Sequence, residues 1–333
     1  MCPSFGIEHP VPSEKFFGRS KIIESVCGRL DDPERSSTGL VGGPNTGRTS
    51  LLRYMASEHA TARYPSLAKS QNIYFAGETV GTTMKPAQFW VGCIREISSH
   101  LKIDRLKDVL KDSLEKAKNG TIDCYDLGDM FDAFAKENLP VVIFIDDFHI
   151  LLKNKEFWPP SDFSHNLRGL CQRHPRGLSV VVATPRPIQD LWDSRWGSPF
   201  YNIFANVAIG RLEEQEIRHM VQLEFQGKGI VLDKDIEDLV VTAAERHPFL
   251  VNYLTSLCMT RRAASMPIDE DFLRESFERA DGPVVTLIRE IQGELTPSER
   301  QWMSGTDQIK PSQKEILRRL WDYGLIPPGS NIQ

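Results

Sequence analysis

Features of zinc-binding, secreted and membrane-spanning proteins are scarce in this sequence of 333 residues. Its six cysteines include no C-x-x-C pair, which argues against a zinc site and favours a reduced, intracellular setting. No apolar run approaches the ~20 residues that span a bilayer. The first residues, Met1–Gly6, lack the basic and apolar segments of a secretory signal. We therefore expect a cytoplasmic protein that does not engage a membrane.

An excess of basic charge is missing as well. The sequence has 40 lysines and arginines against 45 aspartates and glutamates, so its formal net charge is −5 at pH 7. Proteins that bind nucleic acid through many phosphates usually carry a basic surface. Nucleic acid is therefore not the expected partner, although a local basic patch stays open. The length allows two or three domains with full-sized cores.

One glycine-rich stretch, Gly42–Ser50, has the pattern of a phosphate-binding loop. The pattern G-x-x-x-x-G-K-[ST] ends at Thr49, with Arg48 in place of the lysine. Glycines let successive backbone amides turn toward an anion, and a following helix adds the positive end of its dipole. The predicted phosphate-binding residues are Gly42, Gly43, Pro44, Asn45, Thr46, Gly47, Arg48, Thr49 and Ser50.

The neighbourhood of this loop supports the interpretation. A short apolar strand, Gly39–Val41, precedes it, and a helix is predicted from Ser50 to about Ala62. A loop of glycine, proline and asparagine between a strand and a helix can also be only a turn. The order strand, loop, helix together with the adjacent hydroxyls of Thr49 and Ser50 favours a nucleotide site.

Two acidic residues complete the predicted site. The apolar run Val141–Ile145 predicts a buried parallel strand, and Asp146 and Asp147 follow at its carboxyl end, where open α/β sheets bind ligands. In a phosphate-loop site, Asp146 and the Thr49 hydroxyl would hold Mg²⁺, while Asp147 would orient or deprotonate the attacking water. The alternative is a pair of solvent-exposed acids at a strand end.

Two arginines are candidates for contact with phosphate. Arg186 follows the predicted strand 178–183 and is placed to sense the terminal phosphate, unless it is a surface residue of a proline-rich turn. Arg48 has a larger, planar cation than lysine, so we expect it to bind nucleotide and yet sit wrongly for hydrolysis. Asp147 is shorter than the glutamate common at its place, which also predicts slow turnover. The catalytic candidates are thus Asp147, Arg48 and Arg186.

The order of elements predicts an α/β domain, a phosphate-loop sheet flanked by helices, over residues 15–212. An extended arm is predicted before it, over residues 1–14. From Leu212 onward the pattern is all-helical. The predicted strands cover residues 39–41, 71–75, 141–145, 178–183 and 202–209.

Five segments together resemble the STAND class of P-loop ATPases (signal-transduction ATPases with numerous domains), in particular its AAA-like bacterial and archaeal branches. They are Phe16–Arg19, the loop Gly42–Ser50, the strand end Ile145–Phe148, the turn Thr184-x-Arg186 and the element Arg246–Val251. The resemblance covers most of residues 15–265. It implies a helical lid over residues 213–265 and a winged-helix-like region over residues 266–333, although only a few residues follow the last helix where the wing should be.

The resemblance also assigns roles to further residues. Phe17, Gly18 and Arg19 would lie near the adenine and ribose, and Pro248, with His247 before it, would pack on the adenine from the lid. ATP or ADP would then be held between the two domains as a switch. Because no sensor or effector domain is fused to this core, the expected partner is a separate effector or sensor protein, for instance in bacterial defence or signalling. A homo-oligomer stays open.

Two other functions are compatible with the sequence. One is a DNA-directed AAA+-type ATPase, similar to origin or transposition regulators, with its C-terminal helices on DNA. The net acidity and the missing wing count against it. The other is a protein in which bound nucleotide is only structural, because phosphoryl transfer depends on positioning and charge that Arg48 and Asp147 alter.

Overall fold

A parallel sheet of five strands is the centre of the N-terminal part of the chain. The computed structural model describes residues 9–32, 36–81, 83–101, 103–157, 163–192, 200–279, 282–303 and 311–326. The strands are β1 (Ser37–Val41), β2 (Gln71–Ala76), β3 (Val141–Asp146), β4 (Leu178–Thr184) and β5 (Phe204–Ala208). Their order is β2-β3-β4-β1-β5, and all neighbours are parallel. The five predicted strands are confirmed.

Helices cover both faces of the sheet and make up the region after it. Those of the sheet part are α1 (Ser20–Asp31), α2 (Arg48–Met55), α3 (Glu58–Arg63), α4 (Pro65–Ala68), α5 (Pro86–His100), α6 (Lys107–Lys118), α7 (Cys124–Lys136), α8 (Phe148–Lys153), α9 (Phe163–Arg173) and α10 (Ile188–Leu191). Those of the helical region are α11 (Glu214–Gly227), α12 (Lys234–Ala243), α13 (Pro248–Ala263), α14 (Glu270–Glu278), α15 (Pro283–Glu294), α16 (Pro297–Met303) and α17 (Pro311–Asp322). Within the described ranges, no helix has the length and apolar character needed to cross a membrane.

The sequence of strand β3 is apolar at five successive positions because both faces of the strand are buried. Val141, Ile143 and Ile145 lie in the core formed with helices α5–α10 on one face of the sheet. Val142 and Phe144 lie in the core formed with α1–α4 on the other face. All five side chains are fully buried. A strand covered on both faces is what a parallel sheet between two helical layers requires.

The helical region packs as two apolar clusters. Helices α11–α13 share one cluster with α14 and α15, to which Leu273, Leu287 and Ile291 belong. A second cluster joins Leu295 to α17 and the residues that follow it. From residue 266 to 326 the described residues form helices and no strand, so the structure shows no wing; residues 304–310 and 327–333 lie outside the described part. The predicted boundary near residue 265 stays a prediction.

One local expectation was wrong, and one helix was missed. The helix predicted from Ser50 to Ala62 is divided into α2 and α3, because the hydroxyl and the amide of Ser57 both donate to the Tyr54 carbonyl and end the first helix. A short helix, α8, follows Asp147 directly, and the sequence analysis did not predict it.

Three strand ends meet at one edge of the sheet. Val41, the last residue of β1, pairs with Thr184 at the end of β4, and the Gly42 amide donates to the Thr184 carbonyl at 3.0 Å. Strand β3, which ends at Asp146, is the other neighbour of β4. Because the strands are parallel, this edge gathers the loop after β1 and the acids after β3, as the sequence predicted.

Candidate nucleotide-binding site

The loop after β1 has the backbone of an anion site. Gly47, with φ of +89°, caps α2 in a conformation that glycine adopts without strain. The Thr46 hydroxyl donates to the Gly43 carbonyl at 2.8 Å and braces the loop. Within the part of the chain that the structure describes, the amides of Gly47, Arg48 and Thr49 donate no backbone hydrogen bond. Such amides at a helix start, with the helix dipole behind them, attract an anion.

The two hydroxyls at the end of the loop have different surroundings. Ser50 is buried, and its Oγ accepts the Val11 amide at 3.0 Å. Ser13 donates to the Arg53 carbonyl at 3.4 Å. The described residues of the predicted arm, 9–14, therefore pack on α2, and residues 1–8 lie outside the described part. Thr49 is half-buried and remains the candidate ligand for a metal ion.

The side chain of Arg48 folds back on its own loop. Its Nη1 donates to the Gly42 carbonyl and, at 3.1 Å, to the Gly43 carbonyl. Its Nη2 lies 3.0 Å from Asp147 Oδ1, and the two side chains are 15% and 23% exposed. A planar guanidinium makes these contacts from two separate nitrogens, whereas a lysine would have to make them from one. Arg48 and Asp147, both predicted from the sequence, are thus brought together as an ion pair.

Asp146 is held by two hydrogen bonds. Its Oδ1 accepts the Asp147 amide at 2.9 Å, and its Oδ2 accepts the Tyr74 hydroxyl at 3.0 Å. Burial, and then the Asp146 charge, raise the pKa of Tyr74 to about 12, so the phenol keeps its proton and donates. The carboxylate is almost fully buried and fixed in orientation.

His149 is a third side chain at the acidic pair. Its Nδ1 lies 3.8 Å from Asp147 Oδ1, beyond hydrogen-bond range, and has no hydrogen-bond partner among the described residues. Burial, together with the charges of Arg48 and Lys153, lowers the pKa of His149 to about 4. The imidazole is therefore neutral at pH 7 and is available to accept a hydrogen bond from a bound group.

Arg186 pairs with the helical region. Its Nη1 and Nη2 lie 2.7 and 2.8 Å from the two oxygens of Glu299, and Nη1 also donates to the Glu294 carbonyl at 3.1 Å. The hydrogen bonds to Glu299 raise the pKa of Arg186. Glu299 also accepts the Thr296 amide at 2.8 Å. Both terminal nitrogens are thus engaged, and phosphate sensing by Arg186, which would require this pair to open, stays a prediction.

Arg19, predicted near the adenine and ribose, is a buried cross-link. Its guanidinium donates to the carbonyls of residues 209–211 after β5 and to the Thr46 carbonyl at 3.1 Å. Its amide donates to Glu216 Oε1 at 2.5 Å. Burial lowers the pKa of Arg19 to about 10, so it stays charged at pH 7. The residue ties the loop to β5 and to the first helix of the helical region.

A cavity of about 860 Å³ borders Arg19. It lies among the starts of α1 and α11, residues 208–211 after β5, Arg246, and Trp321 and Asp322 at the end of α17, and no residue of the loop 42–50 lines it. Basic and acidic side chains are mixed along its wall, so it does not favour phosphate in particular. Nearby in the chain, Phe17 is 37% exposed and lies against the His219 ring, with centroids 4.4 Å apart.

His247 lies at the start of α13 in the helical region and is fully buried. Burial, and then the charges of Arg211 and Arg19, lower the pKa of His247 to about 3, while the backbone of Pro44 in the loop acts in the opposite direction. Neither ring nitrogen has a hydrogen bond of ordinary geometry within the described residues. Pro248, half-buried, is the first residue of α13. The structure thus places His247 beside Pro44 of the loop, and the lid role of His247 and Pro248 stays a prediction.

The last described residues also lie on the loop. After α17 the chain turns, and the Gly43 amide donates to the Tyr323 carbonyl at 2.6 Å. A Cβ at Gly43 would lie 2.7 Å from the Gly324 carbonyl oxygen, so only glycine permits this approach. The sequence contained no signal for this contact.

The residues predicted for Mg²⁺ fit that ion by their chemistry. The Thr49 hydroxyl and the Asp146 carboxylate are hard oxygen donors, and each Asp146 oxygen keeps a lone pair beyond the bond it accepts. No group of three or more His, Cys, Asp or Glu forms a metal site among the described residues. The remaining ligands would thus come from phosphate and water. When bound, the ion supplies charge that stabilises the transferring phosphoryl group.

Comparison with known proteins gives fold-level similarity. No protein-family profile and no curated protein matches the sequence. A Walker-type ATPase of Pyrococcus abyssi matches with 15% identity over 93% of this chain and 90% of that one, at a TM-score of 0.57. This match and the sheet order decide the fold. The chain has the fold of a P-loop NTPase.

Two further structures are similar over most of their length, with lower TM-scores. The ORC2 protein of Aeropyrum pernix, solved as ADPNP–ADP complexes, has 12% identity over 93% of this chain and 88% of that one, with a TM-score of 0.49. The RuvB Holliday junction branch migration motor of Thermotoga maritima has 14% identity, 95% and 89% coverage and a TM-score of 0.47. The P-loop fold therefore rests on the sheet topology and on the Pyrococcus match.

Proposed function

We propose that this P-loop protein binds ATP or ADP, with Mg²⁺, at the loop 42–50 and acts as a nucleotide-dependent switch or scaffold. The resemblance to STAND ATPases supports the switch and a separate effector or sensor protein as the reader of its state. Hydrolysis is slow or absent in this proposal. The binding and the slow hydrolysis are each supported by contacts in the site.

The observation that carries the proposal is the meeting of unbonded amides and paired acids at one edge of the sheet. The amides of Gly47, Arg48 and Thr49 offer donors to a phosphate group. Asp146, fixed by the Tyr74 hydroxyl and the Asp147 amide, presents a carboxylate from the strand two positions away. Phosphate donors on one side and a magnesium ligand on the other are the two requirements of a nucleotide site.

The contact between Arg48 and Asp147 supports slow hydrolysis. Asp147 Oδ1 is engaged by the guanidinium at 3.0 Å, so a water to be activated must use the remaining oxygen or displace Arg48. The same guanidinium is held by the carbonyls of Gly42 and Gly43 and is thus not free to follow charge as it develops on phosphate. Both features favour binding over turnover.

The base and ribose would lie toward the helical region. The cavity of about 860 Å³ beside Arg19 is large enough for a nucleoside, and Phe17, two residues before Arg19, lies against the His219 ring of α11. His247 brings two unbonded ring nitrogens to the loop. This assignment keeps the base between the two regions, as the resemblance implies.

The test has two steps. The purified protein is denatured and any released nucleotide is identified by chromatography, and nucleotide-free protein is then titrated with ATP and ADP by calorimetry, with and without Mg²⁺. We expect micromolar or tighter binding that Thr49→Ala weakens at least about tenfold in the presence of Mg²⁺.

The matched control is Thr61→Ala in the next helix, whose hydroxyl bonds only to the Glu58 carbonyl at 2.9 Å. It should leave the affinity unchanged. Folded protein that neither carries nor binds a nucleotide would refute the proposal. Equal effects of the two threonine variants would remove Thr49 from the metal site.

A further inference from the structure

We propose that the C-terminal turn, residues 321–326, competes with nucleotide for the loop 42–50 and that nucleotide entry requires its release. The turn consists of the last two residues of α17, Trp321 and Asp322, and the four residues that follow them. This inference rests on the proposed nucleotide binding and adds an internal competitor to it. Three sets of contacts support it.

The first contact uses a loop amide. In a phosphate loop the inward-facing amides are the donors that bind the anion. Here the Gly43 amide donates to the Tyr323 carbonyl at 2.6 Å. A carbonyl oxygen in that place presents the same kind of acceptor as a phosphate oxygen, but without its charge. Tyr323 therefore engages one amide of the loop with a neutral acceptor.

The second set of contacts is steric. A Cβ at Gly43 would meet the Gly324 carbonyl oxygen at 2.7 Å and Leu325 Cδ2 at 2.9 Å. A Cβ at Gly324, where φ is +68°, would meet Thr46 Cγ2 at 2.6 Å. Loop and turn thus touch backbone to backbone, and the space directly over Gly43 and Thr46 is filled by the chain itself.

The third set anchors the turn from the side. The Arg211 guanidinium carbon lies 3.5 Å from the centre of the Trp321 ring, and its Nη2 donates to the Ile326 carbonyl at 3.0 Å. Leu325 and Ile326 are fully buried with Leu317 and Leu320 of α17. The turn is therefore held by Arg211 and by packing against α17, and these contacts fix its position on the loop.

The arrangement predicts an exchange of partners. When nucleotide binds, a phosphate group takes the place of the Tyr323 carbonyl at the Gly43 amide and fills the space above it. Residues 321–326 then leave the loop. A site that is open only part of the time has its apparent affinity reduced by the open fraction. Weakening the turn should therefore tighten nucleotide binding. If the turn instead helped to hold the nucleotide, the same change would loosen binding.

The experiment measures ATP and ADP affinity by calorimetry in full-length wild type and three variants. Gly324→Ala places a Cβ against Thr46 at a positive φ, and Leu325→Ala removes packing; neither changes a loop residue. Gly120→Ala is the matched control, since its φ is +70° and nothing lies within 4 Å of the added atom. We expect an affinity gain of about tenfold in the two turn variants and none in the control.

Hydrogen–deuterium exchange on the wild type provides a second readout. Added ATP should speed exchange at residues 321–326 and slow it in the loop. Folded turn variants with unchanged or weaker affinity, or slower exchange in the turn on ATP addition, overturn the competition while leaving the proposed function intact. If no folded variant binds either nucleotide, both proposals fail.

Discussion

The loop is contacted by two regions of the molecule that hold it in different ways. From the sheet side, Arg48 pairs with Asp147, and Asp146 accepts the Tyr74 hydroxyl, so opposite charges are paired within the region. From the helical side, the loop meets a backbone carbonyl of Tyr323 and the ring of His247, whose nitrogens have no hydrogen bond among the described residues. The sheet side is thus held by a charged pair, whereas the helical side is held by a neutral hydrogen bond and a neutral ring.

This difference indicates which half can change. Breaking a buried ion pair leaves an uncompensated charge, so the sheet side resists rearrangement. A neutral carbonyl can be replaced by another acceptor at little expense, and an unbonded imidazole gains from a new partner. The helical region is therefore the half that a ligand can rearrange. Four experiments bear on this contrast, the largest expected effect first.

The first prediction concerns Arg19, which joins the two regions. Arg19→Met leaves the carbonyls of residues 209–211 and of Thr46 without their shared donor. At about 1 kcal/mol for each unsatisfied buried carbonyl, we expect the free energy of unfolding to fall by about 4 kcal/mol. Urea denaturation measures it, and Arg95→Met on the exposed surface of α5 is the control. A loss equal to that of the control would show that Arg19 is not the link between the regions.

The second prediction concerns the ion pair that joins the end of β4 to α16. Glu299→Gln removes the charge that both nitrogens of Arg186 contact at 2.7 and 2.8 Å, and we expect a loss of about 3 kcal/mol, since both side chains are largely buried. Glu315→Gln, an exposed acid on α17, should change stability by less than about 0.5 kcal/mol. Similar losses in the two variants would mean that the buried pair adds nothing.

The third prediction tests His247. Its folded pKa, about 3, is far below the ordinary value of 6.5, so stability is present above pH 6.5 and is lost as the pH falls toward 3. Between pH 7 and pH 5 the wild type should lose about 2 kcal/mol more than His247→Gln, which does not titrate. Urea titrations at both pH values measure this, and parallel pH profiles would contradict it.

The fourth prediction tests the sheet side. In Arg48→Lys a single nitrogen replaces the two that contact Asp147 and the carbonyls of Gly42 and Gly43, so we expect a weaker hold on the Asp147 carboxylate. We expect ATP turnover to rise about tenfold, or about 1.4 kcal/mol in the barrier, measured by phosphate release. The exposed Arg95→Lys serves as control. An unchanged or lower rate would show that the arginine does not restrain hydrolysis.

Much of the fold was predictable because local patterns determine it. The run from Val141 to Ile145 is buried on both faces, and alternation between two cores needs an apolar residue at every position. The glycine pattern between a strand and a helix predicted the loop, and the acids after β3 predicted the residues across the site from it. These features depend on neighbours in the chain and on the rule that parallel strands share an edge.

The partners of the site residues were less predictable because they are distant in sequence. Glu299 belongs to a visible capping pattern with Thr296, which predicts a helix start and does not reveal its bond to Arg186. Tyr74 reaches Asp146 only through the pairing of β2 with β3. The contact of Gly43 with Tyr323 is made by backbone atoms, for which no residue type is diagnostic.

Ionic strength should change the affinity of the loop for nucleotide but not the contact between the loop and the C-terminal turn. The Gly43 amide and the Tyr323 carbonyl are neutral, so added salt leaves their hydrogen bond almost unchanged. The attraction between a polyphosphate and the same loop is screened as salt rises. Concentrated salt should therefore favour the state in which the turn contacts the loop, and dilute buffer should favour the nucleotide-bound state. The hydrogen bond between Gly43 and Tyr323 itself stays almost unchanged.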